Sequence, residues 1–133
     1  LQRHTGNYMN TKKFSFADRL KSFRYAFRGI GYLILGEHNA RIHCLAAVLV
    51  TICGFLLGLS ALEWVVVVLV IGFVFAMEAV NSAIEALCDF VSPEQREMIG
   101  RVKDLAAGAV LLAAIGAAII GGIIFLPKII NCL

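Results

Sequence analysis

Residues 105–126 contain no charged side chain and are long enough to cross the roughly 30 Å hydrocarbon core of a bilayer as a helix. Two further runs come close to that length. One spans 45–59 and reaches back to about Ala40 if Arg41 and His43 sit at the interface; the other spans 62–79 and keeps helical character to Leu87. Lipid offers no partner for an open peptide group, so each run has to be a helix. Over 133 residues the chain is 60% apolar and 16% charged, against roughly 45–50% and 25% in an average soluble domain. Most water-soluble folds, disordered chains and disulfide-stapled secreted domains are thereby excluded. The chain is read as an all-α membrane protein with transmembrane helices at about 40–59, 62–88 and 104–127.

Charge placement orients these spans. Residues 60–63 leave room for only a tight helical hairpin and carry no Lys or Arg. Of the 12 basic residues, eight lie at or before Arg41, three between Arg96 and Lys103, and the last is Lys128. The positive-inside rule puts the amino terminus and residues 89–104 in the cytoplasm and the carboxyl terminus outside, with Lys128 as an interfacial anchor. Three apolar runs interrupt the basic groups, so this is no nucleic-acid footprint. Cys44, Cys53, Cys88 and Cys132 lack CxxC spacing and are expected to be buried as small hydrophobes.

Residues 1–16 are polar and aperiodic and are expected to form a disordered extension, with Met9 as a candidate natural start and no cleavable leader. A single domain would occupy 17–133. Within it, residues 17–35 set Leu20, Phe23, Phe27 and Ile30 apart from Arg19, Lys21, Arg24 and Arg28. Such a basic amphipathic helix either lies on the inner surface of the bilayer or packs on a partner; little soluble protein is available to pack on. Ala109, Ala113, Ala117 and Gly121 recur every four positions, and Gly54 and Gly58 share that spacing. Small residues let helices approach closely in lipid, either between copies of the chain or within one.

The most informative feature lies on the second span. Glu78, Asn81, Glu85 and Asp89 follow i, i+3, i+7, i+11, which gathers them within about 80° of one helix face. Glu78 follows an unbroken apolar run, and an ionisable side chain at membrane depth is a functional candidate by default. A structural role, as a neutral acid bonded to another helix, is the competing reading. Glu37, His38, Arg41 and His43 before the first span, and Arg101, Lys103 and Asp104 at the start of the third, lie at the same level. Clustered carboxylates with an amide suit a hard divalent ion such as Mg²⁺, and Lys103 beside them suits a phosphate.

Glu85 lies about 10 Å nearer the cytoplasm than Glu78. The outer acid can therefore meet a nucleotide's metal while the deeper one accepts a proton from a lipid hydroxyl. No Walker A or protein-kinase signature is present, and Gly29-Ile30-Gly31 lacks a third glycine and a preceding strand. Any nucleotide site must be built on helix faces. Two other classes remain open on this reading: a small cation- or proton-coupled transporter that uses Glu78, and a purely structural membrane subunit.

The stretches Glu78-Ala79-Val80-Asn81-Ser82-Ala83-Ile84-Glu85-Ala86-Leu87-Cys88-Asp89 and Lys103-Asp104-Leu105-Ala106-Ala107-Gly108-Ala109-Val110 resemble the small bacterial integral-membrane lipid kinases, the diacylglycerol and undecaprenol kinases. The likeness runs from about Arg19 to Lys128. It implies a surface helix and three transmembrane helices per chain, a homotrimer with composite sites at the cytoplasmic face of the bacterial inner membrane, and Mg²⁺-dependent transfer of the ATP γ-phosphate to a lipid alcohol. By position, Glu78 resembles the catalytic base, Glu37 and Glu85 the acids that bind metal and nucleotide, Asn81 the supporting amide, and Lys103 with Asp104 the pair on phosphate and ribose. Tyr25 and Arg19 fall at nucleotide-contacting positions of the surface helix. The resemblance gives Arg28, Arg41 and Ala107 supporting or substrate-facing places. Glu94, Gln95 and Arg96 are carried over as nucleotide-facing, with Arg96 a departure where the diacylglycerol enzymes have a histidine. The stretches 22–27, 37–43 and 124–128 look more like the undecaprenol branch.

Overall fold

The computed structural model describes residues 13–133 as four helices: α1 (Phe16–Gly36), α2 (His38–Leu57), α3 (Ala61–Val91) and α4 (Glu97–Cys132). Met9 and most of the expected extension lie outside the described residues, and Phe16, assigned to that extension, already begins α1. Ser15 caps α1, its Oγ accepting from the Asp18 N–H at 3.4 Å. Nearly all of α1 is exposed and Leu33 is its one buried residue.

A single extended residue, Glu37, separates α1 from α2. The Arg41 guanidinium folds back across this hinge, donating to the Ile34 carbonyl at 3.2 Å and to the Leu35 carbonyl. These carbonyls, at the end of α1, have no partner within the helix, and a basic side chain there satisfies them.

The hairpin between α2 and α3 is tighter than residues 60–63 suggest. Its break falls at 58–60, and Ala61, Leu62 and Glu63 already form the first turn of α3. Gly58 ends α2 in the left-handed region at φ 70°, where a side chain would be strained. Ser60 and Glu63 form a capping box, Ser60 N–H to Glu63 Oε2 at 2.8 Å and Glu63 N–H to Ser60 Oγ at 3.2 Å.

α3 and α4 form the main pairing, with Val67, Val74 and Cys88 buried on one helix and Ala106, Val110 and Ala113 on the other. Gly54 has its use within the chain. The Trp64 ring lies so close that a Cβ there would sit 2.7 Å from the indole, and Phe55 packs on the same ring at 4.8 Å between centroids.

The helices reach beyond the apolar spans. α4 spans 36 residues, starting seven positions before 104 and continuing past Pro127, and α3 runs on to Val91. Hydropathy marks the length that suits lipid, whereas good helix formers such as Glu97, Arg101 and Lys103 carry the helix beyond it. Lys128 is paired as well: its Nζ lies 3.1 Å from Glu63 Oε2, tying the end of α4 to the start of α3. All four cysteines are free, but only Cys88 is buried, while Cys53 and Cys132 are exposed on helix faces.

α2, α3 and α4 are each long and apolar enough to cross a membrane. Leu49, Ile52, Val68, Leu69, Leu112 and Ile119 are among many large apolar side chains on the outside of the bundle. Water would reject that surface and lipid accepts it, so the chain is a membrane protein.

Candidate functional site

Glu78 is the one buried charged side chain among the described residues, 2% exposed on the inner face of α3. The helix places it there by continuing the stripe of Val67 and Val74, which packs against the neighbouring helices. His43 of α2 brings Nε2 within 3.1 Å of Glu78 Oε1. The distance is that of an ion pair, but the direction is wrong for a hydrogen bond, and Oε1 has no donor. Asn81 Oδ1 and Ser82 Oγ, one turn further along the same face, are likewise buried without a partner. Buried oxygens are almost always bonded, to protein or to water, so these three on one turn are acceptors left open to a partner outside the chain. An apolar slot of about 110 Å³ between α2, α3 and α4 opens beside this patch, with His43 at its polar end and Phe125 at the far one.

Towards the α3–α4 connection the stripe becomes wetter. Glu85 is half-buried and Asp89 exposed. Lys103 Nζ lies 2.5 Å from Asp89 Oδ1, so the lysine is held against the acidic face of α3. Asp89, Glu94, Gln95, Arg96, Gly100 and Lys103 line one recess of about 520 Å³, and Arg96 reaches Glu94 at 3.8 Å across its exposed rim. Asp104, next in sequence to Lys103, is turned away and lines a different groove with Arg101 and Leu105.

The remaining candidates do not join this constellation within one chain. Tyr25 and Arg28 pair with each other on exposed α1, the guanidinium 5.9 Å from the ring centroid, and Arg19 lies 5.6 Å from the Phe14 ring. Among the described residues none of the three bonds to an α3 acid. Glu37 is half-buried at the α1–α2 hinge, Ala107 is exposed, and Arg41 is occupied by the α1 carbonyls. No three His, Cys, Asp or Glu side chains converge as metal ligands among the described residues. Sequence reasoning placed His43 only at the right depth and did not single out Ser82; the i+4 spacing of Ser82 from Glu78 was the available signal.

The family model for prokaryotic diacylglycerol kinase matches residues 24–125, which takes in His43, the whole acidic stripe and Lys103. The chain belongs to this family. It is a lipid kinase, and the transporter and structural-subunit readings fall away. Its relatives include an undecaprenol kinase of Bacillus subtilis, 44% identical over 82% of this chain and 89% of the relative. A diacylglycerol kinase of Synechocystis is 41% identical over 84% of this chain and 65% of that longer protein, and one of Escherichia coli is 32% identical over 78% and 85%. Along α3 this lipid kinase thus carries two distinct environments, a dry acid at Glu78 and a wetter recess at the α3–α4 connection.

Proposed function

We propose that the kinase transfers the γ-phosphate of ATP to the hydroxyl of undecaprenol or diacylglycerol, with Glu78 as the general base. The observation that carries this is the buried, donor-free Oε1 of Glu78 beside the orphaned Asn81 and Ser82 oxygens. A lipid hydroxyl entering there donates to Glu78, which takes the proton as the oxygen attacks phosphorus. Asn81 steadies the hydroxyl. Undecaprenol stands first because the relative with 44% identity bears that name.

Lys103 and the recess at the α3–α4 connection receive the nucleotide, with Glu94, Gln95 and Arg96 along its rim and Asp104, Tyr25 and Arg19 completing the contacts in an assembled homotrimer. Glu37 and Glu85 would hold Mg²⁺ once the assembled homotrimer brings them to one site, because that ion usually takes one or two carboxylates and fills its remaining positions with phosphate oxygens and water. The ion supplies charge neutralisation at the transferring phosphate. The site faces the cytoplasm, from which ATP comes, and α1 lies on the inner surface of the bacterial cytoplasmic membrane with its basic residues towards anionic lipid.

Purified protein given labelled ATP and Mg²⁺, with undecaprenol and diacylglycerol offered side by side, tests the substrate. Glu78→Gln tests the base. Turnover should fall by about 100- to 10,000-fold with nucleotide binding intact, and undiminished phosphorylation would refute the assignment.

A further inference from the structure

We infer that His43 carries the proton taken up by Glu78 out to water. The inference rests on Glu78 being the base. A base that is 2% exposed must discharge its proton after every turnover, and the surrounding structure leaves it few ways to do so. His43 is the charged or titratable partner within ion-pairing distance of Glu78 among the described residues, and its own side chain is 25% exposed. It therefore joins the dry carboxyl to the surface of the bundle near the start of α2, at the interfacial end of that span.

Other ionisable groups on the neighbouring helices are placed elsewhere. Arg41, two residues before His43 on α2, points its guanidinium at the α1 carbonyls. Glu85, the next acid on α3, lies two turns further along. From α4 the slot beside His43 is lined by Ala117, Ile120, Gly121 and Phe125, which cannot carry a proton. Imidazole suits the task because it can accept at one ring nitrogen and release from the other. The lipid O–H bond breaks as its oxygen bonds to the γ-phosphorus of ATP, the bond from that phosphorus to the ADP oxygen breaks and ADP leaves, and the proton goes to the Glu78 carboxylate. It then passes to His43 Nε2 while the Nδ1 proton leaves to water, and exchange with solvent restores the starting tautomer. Nε2 stands 3.1 Å from Oε1, and a turn of the imidazole about its side-chain bonds aims that nitrogen at the acid.

The full chain in lipid-containing micelles provides the test, with His43→Ala and His43→Gln compared for kcat and KM. Glutamine keeps the bulk and a donor but cannot accept and release a proton. Both variants should lose kcat by about tenfold or more while KM for ATP and lipid stays within about twofold. Added imidazole should restore part of the kcat of His43→Ala. Nucleotide titration and the thermal midpoint report that each variant is folded. Parental turnover in His43→Gln, or no response of His43→Ala to imidazole, overturns the relay. Should Glu78→Gln stay active, the base assignment itself fails; should it be dead while His43→Gln is fully active, only the relay fails.

Discussion

Lys103 Nζ lies 2.5 Å from Asp89 Oδ1 and so binds the first turns of α4 to the last turns of α3. The ammonium retains further donors that can serve a phosphate entering the recess beside it, and Asp89 fixes where they start from. Lys103→Ala should weaken nucleotide binding by about tenfold or more, as loss of a charged hydrogen bond does. Asp89→Asn should have a smaller effect, because it leaves the cation in place. Titration of both variants with a non-hydrolysable nucleotide gives the comparison; equal losses would mean the lysine serves the fold and not the ligand.

Glu85 and Glu37 are expected to act through the metal. Glu85→Gln and Glu37→Gln should each raise the Mg²⁺ concentration needed for half-maximal activity, and chelation should abolish turnover in the parent chain. An unaltered Mg²⁺ requirement in both variants counts against a ligand role.

At Gly54 the Trp64 ring occupies the space a side chain would take. Gly54→Ala gains helix propensity but forces the indole or α2 to move, and overpacking of this kind costs about 1–3 kcal/mol. Thermal unfolding in detergent should show a lower midpoint. A midpoint at or above the parent's would mean the indole moves aside freely.

Glu63 both completes the capping box of α3 and holds Lys128 at 3.1 Å, at the end of the bundle remote from Glu78. Glu63→Ala, which removes both the cap and the ion pair, should lower the thermal midpoint and leave kcat and KM unchanged. Lys128→Gln, which spares the cap, should lower it less. Reduced turnover in a fully folded Glu63→Ala would place this end of the molecule in the reaction.

The three spans could be read from residues 45–59, 62–79 and 105–126 because the cost of exposing peptide groups to lipid is local and leaves one solution. Helix ends were less legible. Polar residues such as Glu97 and Arg101 prolong α4 beyond its apolar part, and Pro127 removes only one backbone donor near the end of that helix. Gly54 shows the same limit, since its spacing to Gly58 suggested helix approach while its neighbour is the Trp64 ring.

By itself the sequence determined that Glu78, Asn81, Glu85 and Asp89 share one face of α3, because the helical period fixes angles within an element. Tertiary structure alone decided that Glu78 meets His43, that Lys103 meets Asp89 while Asp104 turns away, and that Arg41 serves the end of α1. Those pairings depend on how far each helix is rotated and shifted against its neighbours. Packing of side chains such as Val74, Val110 and Trp64 sets that offset, and no period within a single helix records it.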